Sequence, residues 1–271
     1  MRPPAWLALY LWGEKRIERL VRVLPGAWSG LWLGVLTTPQ LSRLDEAYYR
    51  GEDMYRSAAY NRRGLFDWEA RIVESHVRPR SRIAVLGAGG GREVLALLAL
   101  GHDAWGFEPY HALAAVGSDL TAADGYGRRV AVMARDGWAC ERDSFDAVVF
   151  GWGAYMLLPS RQDRVERLRE AAAATGRPGV IVTSFFTMPL DRRQLHVTFR
   201  VARRLRQLLG RPAPLLGDAL VPNFAHHFTR SQIVEELVEA ELELVEWGTA
   251  PGGYGWAVAR RAGAAEGAAG E

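Results

Sequence analysis

The chain has 271 residues, 34 Lys and Arg against 31 Asp and Glu, 49% hydrophobic content and a single cysteine. This composition excludes a disordered chain, a collagen-like repeat and a coiled coil. A net charge of +3, even with a pI near 9.2, is too small to argue for a nucleic-acid partner. Cys140 alone forms neither an intrachain disulfide nor a thiolate metal cage, so a reducing, cytoplasmic setting is expected. Lys15 is the only lysine, which weighs against a Schiff-base or Walker-loop chemistry.

Residues 1–75 read as a helical cap or lid. Apolar runs at 5–12 and 27–36 are too short to cross a bilayer, which takes about 20 apolar residues. Gly13-Glu14-Lys15-Arg16 interrupts the first run, and no small-residue cleavage site follows. Trp6, Tyr10, Trp12, Trp28 and Trp32 would suit a membrane surface. Packing of this cap on the main domain is the plainer expectation.

From residue 83 onward, short apolar runs alternate with helical periodicity. Strands are predicted at 83–86, 104–108, 129–134, 145–150, 180–186, 242–247 and 254–260. Helices are predicted at 92–100, at 109–120, after the capping Ser160, and at 231–240. Strands separated by helices pair in parallel through crossovers. The last two are joined only by Thr249-Ala250-Pro251-Gly252-Gly253, so they run antiparallel. The expected architecture is α/β, a doubly wound, mostly parallel seven-stranded sheet over residues 76–261. A substrate-side insertion at about 188–230 and a disordered tail at 262–271 complete it.

The most informative stretch is Gly87-Ala88-Gly89-Gly90-Gly91, where a buried strand runs through glycines into a helix. Bare backbone there lets a ligand approach the carboxyl end of the first strand. Glu108 closes the next strand, at the spacing where a carboxylate accepts hydrogen bonds from ribose hydroxyls, and Phe107 and Pro109 flank it. A dinucleotide site would place its third glycine at position 92, which is Arg92. The pattern therefore points to an adenosine-type cofactor, and Arg92 weighs against a dinucleotide.

This loop resembles the acid-x-G-x-G-x-G motif of class I S-adenosylmethionine-dependent methyltransferases, and the likeness extends by strand order over residues 83–260. It implies a Rossmann-like methyltransferase fold and S-adenosyl-L-methionine as cofactor. Gly87, Ala88 and Gly89 would meet its methionine and ribose parts. Glu108, with Pro109, would hold the ribose. Asp136 and Gly137 would lie near the adenine, with Trp138 as a ring neighbour, and Gly151 and Trp152 would close over the methionine moiety. One departure is Val85, which stands where the family has an acid.

Methyl transfer needs alignment and dryness more than a strong acid or base, because alignment alone contributes about 7–11 kcal/mol. An aromatic run before the first strand supplies lid candidates Tyr55, Tyr60 and Arg63, the last able to pair with a carboxylate. Catalytic candidates toward the acceptor are His226, His227 and Tyr155; either histidine suits a general base. The adjacent histidines have no third ligand at a coordinating spacing, so no metal is expected. A basic amphipathic helix is expected between Asp191 and Gly210. A small-molecule acceptor, with its O, N or C nucleophile open, is expected rather than nucleic acid. A non-catalytic methyltransferase-like binding module and an NAD(P)-dependent oxidoreductase are the alternatives.

Overall fold

The computed structural model describes residues 4–134, 137–138 and 140–263. Four helices come first: α1 (Ala5–Val35), α2 (Thr38–Gly51), α3 (Ala58–Asn61) and α4 (Asp67–His76). The α/β part follows as β1 (Arg82–Leu86), α5 (Arg92–Ala99), β2 (Asp103–Glu108), α6 (His111–Ala123), β3 (Val130–Val132) and β4 (Phe145–Phe150). It continues through α7 (Arg161–Ala174), β5 (Thr175–Thr187), α8 (Arg193–Leu208), β6 (Asp218–Leu220) and β7 (Phe224–Phe228). It ends with α9 (Arg230–Glu239), β8 (Leu242–Ala250) and β9 (Tyr254–Arg261).

β3, β2, β1, β4 and β5 lie side by side in parallel. β9 pairs antiparallel with β5 from Ile181–Ala259 to Phe186–Tyr254, and antiparallel again with β8. The short link between β8 and β9 allows no other direction. All seven expected strands are present, and the doubly wound sheet is as anticipated. The structure adds a hairpin inside the insertion: β6 pairs antiparallel with β7, and β7 extends β5 in parallel through Phe186–His227.

Side chains along a strand alternate between the two sheet faces. Ile83, Val85, Val182 and Val258 pack with Ile72 of α4 and Val94 and Leu97 of α5. Ala84, Leu86, Val148 and Ile181 pack on the other side with Val165 and Leu168 of α7 and Ile233 of α9. Each such aliphatic side chain contributes about 1.5–3 kcal/mol by leaving water. The two layers leave the carboxyl ends of β1, β2 and β4 open to the segments that form the site.

The amino-terminal segment divides in two. Leu41 of α2 is buried with Leu33, Ala202 and Phe224, and α4 lies against the sheet through Ile72. α1 pairs with α8 of the insertion and touches β6. A Cβ on Gly26 would come within 2.6 Å of Gln194 O, and one on Gly30 within 2.7 Å of Thr198 O. The absent side chains are therefore what lets the helices approach. Thr198 Oγ1 donates to Gly26 O at 2.9 Å, and Leu220 N–H donates to Ser29 Oγ at 2.9 Å. Of the expected tail, Ala262 N–H donates to Glu241 O at 3.2 Å; residues 264–271 lie outside the described residues.

Candidate functional site

The loop after β1 is held by its own backbone and by one carboxylate. Gly87 N–H donates to Phe107 O at 2.7 Å and Gly91 N–H to Ala88 O at 2.9 Å. Gly89 sits at φ +53 and Gly91 at φ +92, a region glycine enters without steric cost. Gly89 N–H donates to Glu108 Oε2 at 2.8 Å, and Tyr110 N–H to Glu108 Oε1 at 2.9 Å. The buried Glu108 carboxylate is thus fixed at the end of β2, facing the loop. A Cβ on Gly89 would meet nothing within 4 Å, so the backbone faces open space there.

That space is a cavity of about 800 Å³, counting the part open to solvent, within the range of small-ligand sites. Gly87, Gly89, Glu108, Pro109 and Trp152 line it, five of the residues that the sequence singles out. The lid candidate Tyr55 lines it too. Ala88 is buried beneath the loop, and Gly151 is pressed against Gly87 O, so these two shape the floor. Val85 is wholly buried in the core, where an acid would have to be desolvated.

The segment that carries Tyr55 is tied to the loop. Asn61 Nδ2 donates to Tyr55 O at 3.0 Å and to Ser57 O at 3.1 Å, and a Cβ on Gly90 would collide with both Tyr55 O and Asn61. Gly90 is therefore what lets this segment approach the loop. Arg92 makes a twofold ion pair with Glu69, both contacts at 2.7 Å, and a third to Glu93 at 2.8 Å, with Phe66 under its guanidinium at 4.1 Å. Burial raises the Glu69 carboxyl above its ordinary value, against the pull of Arg92. Glu93 Oε1 also accepts Trp152 N–H at 2.9 Å, so the knot orients the loop after β4.

Aromatic rings form one wall. Tyr49 stands 5.3 Å from Tyr55 and 5.6 Å from Tyr110, and Trp152 lies 5.0 Å from Tyr254. Burial pushes the Tyr49 and Tyr55 phenols up and the Tyr254 phenol up to about 12, so all three are neutral at ordinary pH. A face of neutral rings attracts a cation, each by on the order of 1 kcal/mol.

Several other sequence candidates fall outside the cavity. Tyr60 stands behind Tyr55 at 5.9 Å, and exposed Arg63 lies over Tyr60 and Phe66 rather than inside. Gly137 is half-buried away from the cavity wall, and Trp138 is sunk against Phe107 and Phe145. Asp136 lies outside the described residues.

Two of the three acceptor-side candidates, Tyr155 and His226, are corrected by their surroundings. Tyr155 is fully buried and donates to Glu236 Oε2 at 2.5 Å, in a closed network with Arg164. His226 is fully buried, its Nδ1 2.6 Å from Asp218 Oδ1. Both serve the packing of α7, α9 and the β6–β7 hairpin. His227 is half-buried and stacked on Phe186 at 5.3 Å, and burial pushes its imidazole down from the usual value. Sequence reasoning missed Tyr49, Tyr110, Met133, Leu158 and Arg167. Only Tyr110 and Tyr49 left a signal, as aromatics beside Pro109 and in the lid run.

No protein-family model matches the chain, and no curated protein is similar to it in sequence. Solved structures are similar in fold. A SAM-dependent methyltransferase from Methanosarcina mazei is 17% identical with a TM-score of 0.56, over 73% of this chain and 98% of that one. The 1,6-didemethyltoxoflavin-N1-methyltransferase of Burkholderia thailandensis, solved with 1,6-didemethyltoxoflavin and S-adenosylhomocysteine, is 17% identical with a TM-score of 0.56. It covers 82% of this chain and 86% of its own. A methyltransferase from Clostridium acetobutylicum is 10% identical with a TM-score of 0.54, over 81% and 96%.

Proposed function

The chain has the fold of class I S-adenosylmethionine-dependent methyltransferases, and from that premise we propose that it transfers a methyl group from S-adenosylmethionine to a small molecule. The observation that carries the reading is the Gly89 N–H to Glu108 contact at 2.8 Å beside open space at the Gly89 Cα. A carboxylate has about four acceptor sites, so an edge already holding two amides can also take sugar hydroxyls.

The residues fit such a cofactor. Gly87 and Gly89 would let it approach the backbone, Glu108 would hold the ribose, and Tyr55 and Trp152 would cover it with ring faces. When bound, the cofactor supplies an electrophilic methyl on a sulfonium. The chain's own contribution is to orient the partners and exclude water, which the apolar Leu86, Leu113, Met133, Phe150 and Leu158 walls favour.

Among the described residues, no histidine, lysine or cysteine lines the cavity, and Tyr49 and Tyr55 hold their protons. The reading is therefore a transfer by proximity to a nucleophile that arrives with its lone pair available. The Burkholderia methyltransferase, with 1,6-didemethyltoxoflavin bound in the same fold, supports a small-molecule acceptor.

Calorimetry with S-adenosylhomocysteine tests this. Binding is expected, weakened ten- to a hundredfold in Glu108→Ala, the scale of a lost hydrogen bond to a charged group. Glu108→Gln, which keeps one acceptor oxygen, loses less. Absence of binding, or binding unchanged by Glu108→Ala, refutes the proposal.

A further inference from the structure

Many of the described apolar side chains of α1 stand in solvent. Trp6 is 70% exposed, Leu24 60% and Trp28 63%, and Tyr10, Ile17 and Val21 are also open. These positions recur at helical spacing, so they form one stripe along α1 from Trp6 to Trp32, about 39 Å at 1.5 Å per residue. Ser29, Gly30, Leu33 and Gly34, on the opposite side of the helix, are the ones that meet α8 and β6. The stripe is therefore left over after the helix has made its tertiary contacts.

Charge decides what covers it. Between Asp191 and Asp218 the chain carries seven arginines and no acidic residue. Arg193, Arg200, Arg203 and Arg204 of α8 are exposed, and Leu190 and Leu208 at its two ends are exposed as well. Together α1 and α8 hold nine basic residues against two acidic ones. A second copy docked through this pair would bring like charge onto like charge, because a twofold interface presents the same patch from both sides. An anionic bilayer offers the complement: headgroups for the arginines and acyl chains for the leucines. Its interfacial depth is where tryptophan and tyrosine, apolar with one polar tip, are stable.

We infer that the α1–α8 pair is a peripheral membrane-docking surface, with the α1 stripe lying in the interface of an anionic lipid bilayer. The inference is independent of what the cavity binds. Basic side chains near an anionic surface and apolar side chains in its interface both add to attachment, so the pair suffices for reversible binding without a spanning helix. No described helix is long and apolar enough to cross a membrane.

Co-sedimentation of the full chain with phosphatidylcholine–phosphatidylserine vesicles, against phosphatidylcholine alone, is the test. Expected are binding to the anionic vesicles that falls as salt is raised, and a loss of at least tenfold in Ile17→Ser/Leu24→Ser. Arg200→Gln/Arg203→Gln/Arg204→Gln should lose at least tenfold on anionic vesicles and little on neutral ones. Both variants change exposed residues, and an unaltered thermal midpoint identifies them as folded. No sedimentation with anionic vesicles, or full retention by the serine variant, overturns the inference. So does sedimentation velocity showing a dimer that the serine substitutions dissolve.

Discussion

At Tyr155 and Glu108 the same kind of side chain, polar and placed next to a strand end, meets opposite fates. Glu108 ends β2 at the mouth of the cavity, with two backbone amides fixing its direction. Tyr155 follows β4 but turns inward, where its hydroxyl, Glu236 and Arg164 satisfy one another out of contact with water. Burial, then Glu236, pushes the Tyr155 phenol well above its usual range, so it is a fixed donor. Arg164 Nη2 lies 2.5 Å from Glu236 Oε1, and both side chains are buried. Glu236→Ala should therefore destabilise the chain by about 3–5 kcal/mol, because it strands a buried guanidinium. Urea unfolding checks this, and a loss under 1 kcal/mol would mean that water reaches the network. Glu108 was legible in the sequence because its role depends on spacing from the glycines. The fates of Tyr155 and His226 were not, since a residue's name does not say whether its polar atom faces a cavity or a partner 81 or 8 positions away.

At the scale of elements, the close pairing of α1 with α8 is set by what α1 lacks. Gly30 is within reach of Thr198 O, Thr198 Cα and Val201 Cβ, each of which an added Cβ would approach to 3.0 Å or less. Gly30→Val should force the helices apart and cost about 1–3 kcal/mol, the usual range for overpacking. Thermal unfolding with and without the substitution measures it. S-adenosylhomocysteine binding should be unchanged, because the glycine loop lies elsewhere and rests on α2 to α5. The amphipathic pattern of α8 was readable as a face of Val197, Val201 and Leu205. That its partner would be α1 was not, because five strands, β1 to β5, lie between the two helices in sequence. Leu208, which shares that face by periodicity, lies past the end of the contact and is 83% exposed.

For the molecule as a whole, the sheet, α4 to α7 and α9 are held by two apolar layers to which the first twenty residues contribute no buried side chain among those described. A chain lacking residues 1–20 should keep its thermal midpoint within a few degrees, since a stability change of 1 kcal/mol shifts a domain of this size by only about 2–4 °C. It should also keep any S-adenosylhomocysteine affinity. A collapse of the midpoint would show that the amino-terminal half of α1 supports the fold, contrary to its exposure. The Arg92, Glu69 and Glu93 knot works at the same scale, because it ties α4, α5 and the loop after β4 into one floor under the cavity.

The sequence by itself determined seven of the strands, the antiparallel return of β9, and the loop that meets Glu108. These depend on local periodicity, on turn length and on glycine's freedom at positive φ, all of which are written within a few residues. Tertiary structure alone decided which aromatic rings face the cavity, which histidine is sealed on Asp218, and that α1 leaves the sheet for α8. Those outcomes depend on which distant surfaces meet, and the free energy of that meeting belongs to the pair rather than to either segment.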